Sequence, residues 1–166
     1  MAATILPMIM LLLAACTAGD ARSTASRVSP ASTTDGQRIL AVTPAGGTVV
    51  LEVVRTPARR ARGLMFREQV PAGTGMLFVF EAAGRHSFWM LNCKVALDIA
   101  WIDEEQEIVH LAENLPPCPA EPCPSYAPDA PARYAVEVAA GYARPLGLVP
   151  GARLALQSLD DREDGG

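Results

Sequence analysis

Two carboxylates stand where acids are rare. Asp98 lies between Leu97 and Ile99, and Glu137 between Val136 and Val138. A carboxylate in an apolar strand needs a partner, a ligand or a shifted proton equilibrium to be tolerated. The nearest cations in the preceding segment are Arg62 and Arg67, and either guanidinium can grip a carboxylate through two parallel hydrogen bonds. That arrangement reads first as an ion pair joining helix to sheet, and second as part of a ligand site. Trp89 adds a flat apolar platform and Asn92 a paired donor and acceptor. Together Arg62, Arg67, Trp89, Asn92 and Asp98 form the expected site, a mixture suited to a small molecule or a glycan. The alternative is a hydrolase acting on a cell-wall or glycan substrate through Asp98 and Glu137, which requires both carboxyl groups to flank one bond.

Other chemistry is harder to assemble. His86 and His110 have no nucleophile motif beside them, and neither a Gly-x-Ser-x-Gly run nor a Cys-His pattern occurs, so no catalytic residue is assigned. Met65, Met76, Met90, Cys93 and His86 offer soft ligands for copper, although methionines in apolar runs ordinarily fill cores. No cofactor or metal is therefore expected. Cys118 and Cys123 sit in Pro116-Pro117-Cys118-Pro119-Ala120-Glu121-Pro122-Cys123-Pro124, a stiff loop that an oxidising compartment would close as a disulfide. Two thiolates supply only half of a tetrahedral zinc set, which favours the disulfide over a metal site. Cys93 is then left unpaired, and the simplest role for it is that of a small buried hydrophobe.

The elements that must position these residues are short. Runs at 39–43, 48–54, 76–80, 86–92, 97–103, 107–111, 134–139 and 153–157 read as strands, separated by Gly- and Pro-rich turns. Pro44-Ala45-Gly46-Gly47 reads as a hairpin connection, and residues 103–106 as the turn of an antiparallel pair. Along the run from 86 to 93, alternation places His86, Phe88, Met90 and Asn92 on one face and Ser87, Trp89, Leu91 and Cys93 on the other. A helix is expected over 57–66, with Thr56 as N-cap and Pro57 at its first position, and a second short one over 140–146 before Gly147. The fold class is mainly β with two short helices, a compact barrel-like or sandwich domain over 38–159.

Outside that domain the sequence reads as an address. An apolar run from Ile5 leads to Leu13-Ala14-Ala15-Cys16, the pattern of a lipoprotein signal peptide over 1–15 with Cys16 as lipid acceptor. Residues 1–15 carry no Lys or Arg, which departs from the usual basic start, and the run is short for a membrane span. The Ser-, Thr- and Gly-rich stretch that follows, up to residue 37, reads as a flexible tether, and the acidic residues 160–166 as a disordered tail. These features predict a bacterial envelope protein held on a membrane by Cys16, with a small molecule, a glycan or an envelope protein as partner. A net charge of −4 at pH 7 gives no electrostatic reason to expect nucleic acid.

Four blocks in order carry a resemblance: Arg62-Gly63-Leu64-Met65-Phe66-Arg67, Gly75-Met76-Leu77-Phe78-Val79-Phe80, Ser87-Phe88-Trp89-Met90-Leu91-Asn92 and Leu97-Asp98-Ile99-Ala100-Trp101-Ile102-Asp103. With Pro117-Cys118, Cys123-Pro124, Ala132-Arg133-Tyr134, Glu137, Gly141 and Pro150-Gly151, they resemble the bacterial and archaeal family catalogued as domain of unknown function 192. The resemblance implies a small, mainly β, barrel-like domain, often exported, and supplies neither an activity nor a cofactor. Leu91 and Cys93 stand where the family usually has Lys and Thr. The reading that results is a non-enzymatic binding or accessory module.

Overall fold

The computed structural model describes residues 27–159. The signal segment, Cys16 and the acidic tail lie outside the described residues. Nine strands are described: β1 (Arg38–Val42), β2 (Thr48–Val54), β3 (Thr74–Gly84), β4 (Phe88–Trp89), β5 (Leu97–Ile102), β6 (Ile108–Leu115), β7 (Ser125–Tyr126), β8 (Ala132–Ala139) and β9 (Ala155–Ser158). One α-helix, α1 (Pro57–Arg62), links β2 to β3.

Seven strands form one mixed sheet in the order β6-β5-β8-β3-β2-β1-β9, and β4 pairs with β7 in a separate ribbon. The β2–β3 pair is parallel, because the α1 crossover returns the chain to the same end of the sheet. The other ladders are antiparallel, including the expected hairpins β1–β2 and β5–β6. At the first hairpin Gly46 has φ +81°, a conformation that favours glycine.

The sheet curls without closing. Glu107 and Arg153 make an isolated bridge, and the Ile108 and Gly151 amides bond to the Ala152 and Ile108 carbonyls, which brings the two ends together at one corner. Among the described residues β6 and β9 share no ladder, so the chain forms a strongly curved mixed sheet rather than a barrel.

Both faces of the sheet are buried. One packs Ile39, Leu51, Val53, Leu77, Ile102 and Val136 against Ala143, Leu148 and Leu154 from the loops. The other packs Met76, Phe78, Ile99 and Trp101 under Leu64, Val70, Met90 and Cys93. Side chains alternate between these faces along each strand, so neighbouring residues on β5 and β8 belong to different cores.

Four expectations change. Residues 140–146 form successive turns rather than a helix, since Gly141 and Gly147 have positive φ and Pro145 lacks an N–H. Helix α1 stops at Arg62, where Gly63 takes φ 47°, ψ −132°, instead of running to Phe66. The run at 86–92 shrinks to the two residues of β4, and Asn92 turns the chain at φ 57°, so Trp89 is exposed while Cys93 is buried, contrary to strict alternation. Part of the stretch expected as a flexible tether, residues 27–37, is folded instead. From Arg27 onward the chain is packed, with a 3₁₀ turn at Pro30–Ser32, a bridge from Arg27 to Gln157, and an Asp35 carboxylate that accepts the Arg55 amide. That amide hydrogen bond is the largest cause holding Asp35 below its usual pKa. Polar composition misled here, because small hydroxyl and carboxylate side chains can satisfy a backbone as well as leave it solvated.

Candidate functional site

Glu137 is the centre of the candidate site. It sits mid-strand on β8, between Met76 of β3 and Ile99 of β5, on the face covered by α1 and the 63–67 turn. Its side chain is 4% exposed, and among the described residues its Oε2 atom has no hydrogen-bond partner. Burial disfavours the charged form and pushes its pKa up to about 8, against the smaller attraction of Arg67. At neutral pH the group is therefore mostly a carboxylic acid with a proton to donate.

The residue above it, Gly63, carries no side chain to cover the carboxyl. A β-carbon at Gly63 would stand 3.5 Å from Glu137 Oε2 and 3.3 Å from the Phe78 ring, so glycine keeps that space open. Glu137 lines a cavity of about 200 Å³ with Arg60, Arg62, Met65, Phe88, Trp89 and Cys93. That volume holds about six or seven waters at about 30 Å³ each, enough for a head group or a single small ring. Phe88 meets Phe78 edge-on at 4.8 Å and Phe80 at 6.2 Å, which makes a firm apolar wall. Trp89 and Phe66, 46% and 53% exposed, are two of the three large exposed hydrophobic side chains among the described residues.

The arginines around this cavity differ in what they hold. Arg59 and Arg67 both bind Glu52, at 2.5 and 2.7 Å, and the Arg67 hydrogen bond is the main cause holding that carboxylate below its ordinary range. Arg60 donates to the Arg55 and Val79 carbonyls and lies over the Phe80 ring. Arg62 is exposed and has no carboxylate partner among the described residues; its guanidinium lies 6.0 Å from the Phe66 ring centre. A second groove, lined by Glu52, Arg59, Arg62, Phe66 and Arg67, adjoins the cavity across Gly63 and Met65.

Cys93 is a thiol here. Burial, and then the charge of Glu137, push its pKa to about 11, which leaves almost no thiolate at neutral pH. Its place beside Glu137 thus makes a wall rather than a nucleophile.

Of the five expected site residues, Arg62 and Trp89 line the cavity and Arg67 lies in the adjoining groove. Asn92 acts through its backbone: its carbonyl accepts the Phe66 amide, and its own amide donates to the Cys118 carbonyl. Asp98 does not belong to the site. It is completely buried, and its two oxygens accept the Asn114 and Ala143 amides at 2.8 and 3.0 Å, so backbone rather than arginine compensates it. Asp98 pairs in register with Val138, and Glu137 with Ile99, which sends the two carboxyl groups to opposite faces of the sheet. The proposed hydrolytic pair is therefore ruled out by geometry.

Most of the copper set serves as apolar packing, since Met76, Met90 and Cys93 are buried in one cluster with Met65 packed against it. The His86 ring stacks on Phe80 at 3.7 Å with Nε2 at the Ala82 carbonyl. Among the described residues no group of three or more His, Cys, Asp or Glu could hold a metal.

Cys118 and Cys123 form the expected disulfide. Its loop matters to the site, since the Cys118 amide and carbonyl pair with Met90 and Asn92, and β7 just beyond pairs with Phe88 and Trp89. In the sequence Glu137 stands out as an acid in an apolar strand and as a possible partner for Asp98, but nothing there joins Arg60, Gly63, Phe88 or Cys93 to it. The available signal was the Arg62-Gly63 step directly after a helical stretch, where glycine at the helix end marks a turn.

Comparison with known proteins agrees with this architecture. A family profile matches residues 40–156, most of the described chain. The chain belongs to the family of domain of unknown function 192, described as an uncharacterized ACR. Two solved structures share the fold of this family member. One, from Sinorhizobium meliloti 1021, is provisionally described as a transcription regulator; it is 32% identical, with 71% of this chain and 91% of that chain covered and a TM-score of 0.61. The other, a protein of unknown function from Novosphingobium aromaticivorans DSM 12444, is 24% identical, with 78% and 97% covered and a TM-score of 0.63. None of the curated proteins matches the chain.

Proposed function

We propose that this protein is a non-enzymatic binding module, tethered to the bacterial envelope through Cys16, that holds a small polar ligand with a flat face in the cavity over Glu137. One observation carries the reading. A buried carboxyl group with an unpartnered oxygen lines a cavity whose rim exposes Trp89 and an uncommitted Arg62. A buried polar atom left without a partner costs about 1–3 kcal/mol, and a ligand that pairs with it recovers that cost.

The address rests on the apolar run before Cys16, and the Cys118–Cys123 disulfide suits an oxidising compartment. No helix among the described residues is long and apolar enough to cross a membrane; the anchor in this reading is lipid at Cys16. The description of the Sinorhizobium relative would suggest DNA as a partner. A net charge of −4 and an α-helix of only six residues favour a small ligand instead.

The test is a ligand screen of sugars and small molecules followed by NMR, comparing wild type with Trp89→Ala. The indole is nearly half exposed, so the variant should fold normally and lose ligand-induced shifts around Glu137. Ligands that bind equally well to both proteins, with shifts elsewhere, would remove the site. Cys16→Ser should move the protein from the membrane to the soluble fraction.

A further inference from the structure

The cavity has a sign. Glu137 lines it as a neutral acid, Arg60 and Arg62 line it as cations, and among the described residues no ionised carboxylate shares its wall. Arg60 is committed to backbone carbonyls and to the Phe80 ring, whereas among the described residues Arg62 meets only the aromatic face of Phe66. We infer that the ligand is an anion: a small carboxylate, free or on an acidic sugar, that accepts the Glu137 proton in a hydrogen bond and is neutralised by Arg62, with its ring against Trp89. This rests on the reading of the cavity as a ligand site and adds the charge of what it takes.

The chemistry of the floor supports an acceptor rather than a cation. A carboxylic acid kept neutral by an apolar site donates a hydrogen bond to an oxyanion, and guanidinium supplies the counter-charge with directional donors. An ammonium ligand would instead have to ionise Glu137 and sit among arginines. Arg60 and Arg62 from α1 and the neutral Cys93 thiol line the cavity with Glu137, and Arg67 from the following turn is the cation whose charge reaches it; Met76 and Ile99 flank it on the sheet. Arg67 is shared with Glu52 on β2, which leaves Arg62 as the rim charge free to meet a ligand.

Anion binding to the acid form has a defined pH dependence. The ligand stabilises the protonated carboxyl, so affinity is full below about pH 8 and falls as pH rises through it, with proton uptake on binding near and above that value.

The experiment is calorimetric titration of the folded wild-type protein with glucuronate, glucose, benzoate and choline, repeated at several pH values. Glucuronate or benzoate should bind at least about tenfold more tightly than glucose or choline, and Arg62→Ala should erase most of that preference. Glucuronate binding with benzoate excluded identifies an acidic sugar; benzoate binding identifies a free organic acid. Glu137→Gln keeps a donor but cannot titrate, so its affinity should stay flat where wild type weakens. Equal binding of glucose and glucuronate, lost in Trp89→Ala, would overturn the anion inference and leave the cavity as a ligand site. Preferential binding of choline with proton release would overturn it as well. No heat from any probe, together with a screen in which Trp89→Ala changes nothing, would remove both.

Discussion

Replacing Glu137 by Gln should abolish most of the pH dependence of stability that this carboxyl imposes. In the unfolded chain the group titrates near its ordinary value of 4.5, and in the folded chain burial pushes it up to about 8. Between those values the folded state keeps a proton that the unfolded state has released. Stability therefore falls as pH rises through this window, and levels off once both states are ionised. The gap from 4.5 to about 8, at about 1.4 kcal/mol for each pH unit, amounts to about 5 kcal/mol, a large part of the roughly 5–15 kcal/mol that a domain has in total. Urea denaturation of wild type and Glu137→Gln, with the disulfide intact, at about pH 5, 7 and 9 measures the difference directly. The variant should gain on wild type steadily between the first and the last of these. Parallel stability curves, or a wild type that gains on the variant as pH rises, would show that the carboxyl is solvated or paired and that the reasoning about its floor position is wrong. A cost of this size, retained in a cavity rather than replaced by an apolar side chain, is what a ligand-facing group incurs.

Asp98 behaves in the opposite way, as structure alone. Asp98→Ala strands two amide donors, those of Asn114 and Ala143, and should cost about 2–6 kcal/mol by thermal or urea unfolding; a loss below about 0.5 kcal/mol would mean that water replaces the carboxylate. The Cys118→Ser, Cys123→Ser double variant should lose about 2 kcal/mol in the chain-entropy account of so short a loop. It should also speed amide exchange across 88–93, the segment that this loop pairs with. Unchanged exchange there would detach the disulfide from the site.

Local pattern was enough for much of the scaffold. The β-branched run 48–54 matches β2 residue for residue, and Pro44-Ala45-Gly46-Gly47 turns the chain as a hairpin because glycine supplies the positive φ. Cys118 and Cys123 pair as their proline-framed spacing predicts. The expected helix at 140–146 failed because the chain there is shaped by what it must reach: the Ala143 amide points at Asp98, forty-five residues away in sequence. The strand at 86–92 failed for a related reason, since after Trp89 the backbone bonds to the disulfide loop instead of continuing a ladder.

What the sequence determined by itself is a set of residue types and local geometries: an apolar run ending in Cys16, strands set by alternation, turns set by glycine and proline, and two acids that could not be left in an apolar strand without a reason. Which acid is structural and which faces a cavity was decided only by register. Asp98 and Glu137 lie on adjacent strands offset by one residue, and a one-residue offset in a sheet reverses the face. On one face the backbone amides of Asn114 in β6 and Ala143 in the turns after β8 close around the carboxylate. On the other, Gly63 leaves space above the carboxyl, Arg67 is held by Glu52, and Arg62 and Trp89 line the cavity. Those relations are made between segments distant in the chain, so no local pattern could have contained them.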